Sequence, residues 1–256
     1  MTDALTIAVL AGLGLCVGSF LNVCIHRLPR RESIAWPGSR CGSCGRALAW
    51  FENVPIVSWL VLRGRCRTCG AAIAVTYPLV EAATGAIFVA GFVLYGWTPL
   101  LAVRLLFACA LIVLFVIDLR HRILPNVVTL PGMAVGVASS LFLPPGWRAS
   151  VIGVVGGAGV LLLIAEVYAR ARGEDGLGMG DVKMLGLIGA FLGWPLMLLT
   201  LVLASFMGSI VGIGVLLTNR GGMKAALPFG TFLTVAAFVS MAAGDAILSW
   251  YLAFYQ

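Results

Sequence analysis

Two carboxylates and four thiols are the residues of this sequence whose types and spacing point to chemistry. Asp118 lies in VIDLRHRILPN and Asp181 in GLGMGDVKM, each at the edge of an apolar run. Two carboxylates that face one site cannot both ionise cheaply, so the pair holds a single proton. The ionised member takes a proton from water while the protonated one polarises a peptide carbonyl. That is aspartic-protease chemistry, and it needs no metal. Gly178 and Gly180 flank Asp181 with residues that permit close backbone approach, so an extended substrate can pair with this segment. An ordinary N-cap at Asp181, and a surface ion pair of Asp118 with Arg120 or Arg122, compete with this reading. Glu166 and Asp245 are further acids in apolar runs and compete as members of a pair.

The second motif is CGSCG followed by CRTCG, giving Cys41-x2-Cys44 and Cys66-x2-Cys69. Four thiolates in two such pairs suit a tetrahedral zinc ion, although the spacer slightly exceeds the usual range of about 15–20 residues. Gly45 and Gly70 suit the tight turn after each pair. A closed four-thiolate site leaves no position for water, so the expected role is structural. Reduced thiols or a redox pair are the alternatives. Cys16, Cys24 and Cys109 read as small buried hydrophobes.

The elements that must position these groups follow from composition. Of 256 residues, 61% are hydrophobic and 11% charged, against about 45–50% and 25% in soluble domains. The chain reads as an all-α polytopic membrane protein of about eight spans: 4–26, 76–96, 99–118, 123–143, 149–169, 182–195, 196–218 and 229–252. The sixth is short and must be tilted or re-entrant. The first has Asp3 where a signal peptide has a basic region, and reads as a retained span. Three segments result: a first transmembrane helix over 1–26, a four-cysteine loop over 27–75, and a seven-helix core over 76–256.

The net charge of +7 does not indicate nucleic acid, because the basic residues cluster in a few loops. Residues 27–75 carry eight Arg against two acids. By the positive-inside rule, 27–75, 119–122, 170–181 and 219–228 are cytoplasmic and both termini lie outside. Asp118 and Asp181 then sit at the same cytoplasmic border of the hydrocarbon. Arg104, inside the third span, is expected to snorkel. Trp50, Phe51, Trp59 and Leu60 are too few for a span and are expected along the interface. His26 and His121 read as interfacial or solvated.

GSFLNVCIHRLPR, the paired CGSCG and CRTCG, ENVPIVSWLVLRGRC, YPLVEAATG, DLRHRILPN, GMGDVKM and PFGTFL occur in this order. Together they resemble the bacterial type IV prepilin peptidases, from Gly18 to about Leu233. The resemblance implies cleavage of the leader of type IV prepilins or type II secretion pseudopilins, usually between Gly and Phe, at the cytoplasmic face of the inner membrane. It also implies methylation of the new N-terminus with S-adenosylmethionine. The family's catalytic aspartates carry over to Asp118 and Asp181, and its cysteine tetrad to Cys41, Cys44, Cys66 and Cys69. The sequence departs from the family at His26, Thr76, Asn126 and Thr231. No Gly-rich nucleotide fingerprint appears. A cofactor would therefore use the four-cysteine loop and the inner end of the second span, with Glu81 as an acid and Gly85 as a gap to admit it. An arginine of the loop is the competing partner for Glu81.

Two other function classes are weighed. A proton-coupled transporter with a zinc-stabilised lobe needs carboxylates at several depths. A membrane thiol oxidoreductase would use the two Cys pairs.

Overall fold

The structure, a computed structural model, describes residues 2–172, 178–217 and 228–254. Most of the expected loop 219–228, with Arg220 and Lys224, and residues 173–177 of the expected loop 170–181 lie outside the described residues. The described chain is helical. Among the described residues, six helices are long and apolar enough to cross a membrane, which makes this a multi-pass membrane protein. The chain falls into two compact units, Met1–Val113 and Leu114–Gln256, whose boundary lies inside one continuous helix, Pro99–His121.

Unit one opens with α1 (Thr2–Arg27), an unbroken and mostly apolar helix whose last turn carries His26 and Arg27. After the four-cysteine loop, which carries the short α2 (Val57–Val61) between its two cysteine pairs, comes α3 (Thr76–Tyr95). Helices α1 and α3 pack antiparallel through small residues. A Cβ at Gly14 would lie 2.7 Å from the Cα of Gly85, and one at Gly18 would lie 2.7 Å from the Cα of Glu81. In a bilayer there is little hydrophobic force between helices, so this backbone proximity, with its dispersion contacts, joins them. The packing corrects one expectation. The space beside Gly85 is no gap for a ligand, because Gly14 and Leu15 occupy it. Gly96, at φ 58°, ends α3, and α4 (Pro99–His121) starts by laying Leu101 and Leu105 over Gly91. Arg104 is buried at 8% exposure rather than snorkelling.

Unit two contains the end of α4, then α5 (Asn126–Ser139), α6 (Trp147–Arg172), α7 (Met179–Leu217) and α8 (Phe229–Ala253). The fourth span, expected over 123–143, is a helix of only 14 residues. Pro125 precedes its start, Pro131 is accommodated inside it, and the chain already turns at Ser139 and Ser140, before Pro144 and Pro145. The expected sixth and seventh spans form one run broken at Gly193, where φ is 77° and ψ 170°. Only glycine adopts that conformation readily, and Pro195 just beyond lacks the N–H that would continue the ladder. The break falls near Pro145 and Ala149.

The halves of α7 run in opposite directions. In the first half, Leu185 meets Gly157, Gly189 meets Gly153, and Ala190 accepts a hydrogen bond from Ser150 Oγ at 2.8 Å. It is therefore antiparallel to α6. At Gly153 and Gly189 the backbones touch, since a Cβ on Gly189 would fall within 2.3 Å of the Gly153 carbonyl. The second half is antiparallel to α8: Leu196 meets Gly244, Thr200 Oγ1 donates to Ser240 Oγ at 2.9 Å, and Gly208 faces Phe232. Helix α5 runs alongside the first half, with Gly132 at Leu187 and Gly136 at Ala190. The starts of α5 and α7 thus lie together, and they carry the candidate site.

Candidate active site and metal centre

Asp118 occupies the last turn of α4 and is 5% exposed. Its carbonyl accepts the N–H of Arg122, which turns the chain with a positive φ of 54°. Its carboxylate lies against the first turn of α8. A Cβ on Gly230 would sit 2.8 Å from Asp118 Oδ2, and the next residue's N–H, that of Thr231, donates to the Pro228 carbonyl at 3.3 Å. The positive end of the α8 dipole therefore faces Asp118. Asp118 Oδ2 is buried with no hydrogen-bond partner among the described residues. A buried carboxylate oxygen left open in this way is available to water or substrate.

Asp181 stands in the first turn of α7, with its N–H bonded to the Gly178 carbonyl at 3.0 Å. Gly180 packs on Leu124, where a Cβ would approach to 3.2 Å, and Gly178 lies beside the Asp181 carboxylate. Asp118, Asp181, Gly178 and Gly180 line one cavity of about 390 Å³, with Arg122, Asn126, Lys183, Pro228 and Phe229. Lys183 Nζ donates to Asn126 Oδ1 at 2.9 Å, tying α7 to α5 at the rim. The competing acids are elsewhere. Glu166 is exposed and pairs with Arg170 at 2.8 Å, and Asp245 is exposed on α8. No path of carboxylates through unit two is formed by these residues, and the transporter reading loses its support.

Sequence reasoning gave PFGTFL and Lys183 no role in the site. The motif supplies the wall against Asp118, and its signal was a glycine one residue into a helix, where close approach rather than propensity decides. Gly230→Ala is expected to displace the Asp118 carboxylate by about 1 Å and to slow peptide cleavage roughly 10²-fold. Initial rates on an intact substrate, with membrane insertion unchanged, check this.

In unit one the four cysteines form a second centre. Their sulfurs all lie within 4.8 Å of one another, and Cys41 and Cys69 are 3.8 Å apart. Zn–S bonds of about 2.3 Å in a tetrahedron require sulfurs about 3.8 Å apart, so the donor set fits zinc. The two pairs repeat one backbone pattern. Gly45 N–H bonds to the Cys41 carbonyl at 3.0 Å and Gly70 N–H to the Cys66 carbonyl at 2.9 Å. Cys41 and Cys66 donate in turn to Arg46 and Ala71. Gly45 and Gly70 have φ near 70°, which favours glycine.

The N–H groups of Cys69 and Thr68 point at the Cys66 sulfur and hold that thiol down at about 6. Those of Cys44 and Ser43 lower Cys41. At Cys69 the Ala71 N–H favours the thiolate, but the Cys66 sulfur, burial and the other thiols outweigh it and push Cys69 up to about 11. Beside this cluster, Glu52 accepts from Arg46 at 2.7 Å and from the Ala49 N–H at 2.8 Å, which keeps its carboxyl below the usual range.

Glu81 is buried on α3. It takes the Ile56 N–H at 2.7 Å rather than a loop arginine. Ile56 has a positive φ of 60°, so the carboxylate anchors a strained turn of the loop. As packed, Glu81 and Gly85 do not fit a cofactor cradle.

Comparison with known proteins gives the family. Residues 13–95 match the Bacterial Peptidase A24 N-terminal domain, and residues 105–213 match the Type IV leader peptidase family. The chain is 46% identical to the Prepilin leader peptidase/N-methyltransferase of Myxococcus xanthus over 83% of its length and 64% of that protein's. The chain thus spans just under two thirds of this relative. Identity to the protein of the same name from Aeromonas salmonicida is 37%, over 93% of this chain and 91% of that one. For Pseudomonas aeruginosa the figures are 34%, 94% and 92%. No solved structure matches. With both family models matched in order and relatives this similar over most of its length, the chain belongs to the type IV leader peptidase family.

Proposed function

We propose that the protein is a membrane aspartic endopeptidase that removes the leader from prepilins or pseudopilins, and that it methylates the new N-terminus. The observation that carries the first half is the cavity shared by Asp118 and Asp181. The ionised carboxylate takes a proton from a water molecule, whose oxygen attacks the scissile carbonyl carbon. The protonated carboxyl donates to the carbonyl oxygen. As the C–N bond breaks, the amine leaves with a proton from the pair. Gly178 leaves room for the substrate backbone beside Asp181.

The site is placed at the cytoplasmic face of the inner membrane. A leader peptide in water and an apolar helix in the bilayer must join at an interface, and the basic loops read from the sequence favour the cytoplasmic one. Those loops attract anionic lipid more than a basic leader, so recognition rests on the apolar helix and the bond itself. Zinc held by Cys41, Cys44, Cys66 and Cys69 would supply folding energy to the loop and take no part in hydrolysis. Methylation is supported by the names of the relatives, with S-adenosylmethionine as the methyl donor that the resemblance implies.

A prepilin co-expressed with this chain, read by mass spectrometry of its N-terminus, tests both halves. Loss of the leader is the expected result, with an added methyl group on the new amine. An intact leader would refute the peptidase, and a cut but unmodified amine would refute the transferase alone.

A further inference from the structure

Unit two carries a second cavity, an apolar groove of about 440 Å³ between α6, the returning half of α7 and the start of α8. Leu161 and Ile164 form one wall, Leu201 and Gly208 another, and Phe229 and Phe232 the third. Phe229 also lines the carboxylate cavity, so the two spaces share a wall. The depth of the groove follows from the antiparallel pairing of α7 and α8. Gly208 faces Phe232, within one turn of the Gly230 that touches Asp118. From there the groove follows α7 back to Leu201, about 10 Å of helix axis at 1.5 Å per residue. It begins at the depth of the carboxylates and rises into the apolar layer.

A chain cut in the carboxylate cavity must continue from it. Each extended residue covers at most about 3.6 Å, so the residues just after the scissile bond lie close to Phe229. A mature segment that is apolar and helical cannot turn back into water, and in lipid its backbone must be helical at once. The α7 face of the groove is lined by Ser205, Gly208 and Ser209, and Ser209 Oγ is bonded to the Ser205 carbonyl of its own helix. Small residues of this kind let a second helix backbone approach closely. A lipid tail has no need of that. We propose that this groove seats the first turns of the substrate's apolar helix, immediately after the bond to be cut. The inference rests on the peptidase reading and assigns the part of that site that recognises the mature segment.

Two substrates separate the groove from the carboxylates: a full-length prepilin, and a short peptide holding the leader and a few residues beyond the bond. Ser205→Phe and Gly208→Leu fill the groove. At Gly208 the first added carbon meets Phe232 at 3.6 Å, an ordinary contact, so the extra bulk enters the cavity. The expected result is about a tenfold loss of kcat/KM on the full-length substrate, the scale of one helix-packing contact, with the short peptide cut as before. Unchanged cleavage of the full-length substrate, or equal loss on both, would overturn the proposal. A photo-cross-linking residue in place of Ser205 does not depend on bulk being tolerated. It is expected to label the first turns of the mature helix, and labelling of lipid alone would also overturn it. If the unaltered protein cuts neither substrate, the peptidase reading fails and the groove with it; failure of the groove alone leaves both substrates cut.

Discussion

Asp118→Asn and Asp181→Asn are each expected to abolish leader removal while the protein still inserts and accumulates in the membrane. Asparagine matches the shape of the acid but can neither take a proton from water nor hold one for the carbonyl. General acid–base groups contribute roughly 10²–10⁴-fold each, and groups that work on one proton fail together. The double variant is therefore expected to be no slower than either single one. Glu166→Gln provides the contrast. That side chain is exposed and paired with Arg170, so cleavage is expected to stay at the level of the unaltered protein. Substantial cleavage by either Asp variant would break the pair apart, whatever cavity they share.

Removing the metal centre is expected to have the other large effect, on folding rather than chemistry. Structural zinc in small peptides contributes an apparent ~10–16 kcal/mol at neutral pH, and the loop between α1 and α3 has few large buried side chains to replace it. Cys66→Ser is expected to lose bound zinc and open residues 32–75 to protease, with the apolar helices still protected. Acid should act in the same direction. Zinc needs all four sulfurs deprotonated, so binding displaces the proton that Cys69 holds up to about 11 and weakens steadily as pH falls. It weakens further once pH drops through about 6, where Cys66 itself protonates. Glu52 adds to this at lower pH: its folded pKa is depressed, so the stability it lends is present above the usual carboxylate value and disappears as acid protonates it. Metal content measured from about pH 8 to about pH 5 should fall together with protease resistance. Protein that keeps its protease pattern without zinc would contradict the structural role.

Much of this was legible from residue types. The aspartates lie at the helix ends expected of them and the paired cysteines in the expected loop, because both are local signals; of the apolar runs, most became long helices, but 123–143 gave only a short one. What was hidden depends on contacts between distant segments. Glu81 looked like a ligand for an amine or an arginine because nothing local shows that a strained Ile56 would offer its N–H. Gly85 looked like a gap, although Gly14 and Gly18 in α1 already gave the small-xxx-small signal that a second backbone would fill it. The run 123–143 has no charged residue, and hydropathy does not register that the helix begins only after Pro125 and ends at Ser139. The Arg46–Glu52 pair was equally silent, since both residues sit in a segment with no periodicity.

The touching glycines 153 and 189 have one more consequence. With no side chain between the two backbones at this contact, α6 and the first half of α7 have no soft layer there along which to slide. A shift by one residue would move Asp181 by about 1.5 Å and drive a neighbouring side chain into a carbonyl. The height of the Asp181 carboxylate is thus set by a bare amide-to-amide stop about two turns away. Opening of the site for a substrate must then come from elements other than this pair, and even a single methyl group at either glycine would act on catalysis from a distance.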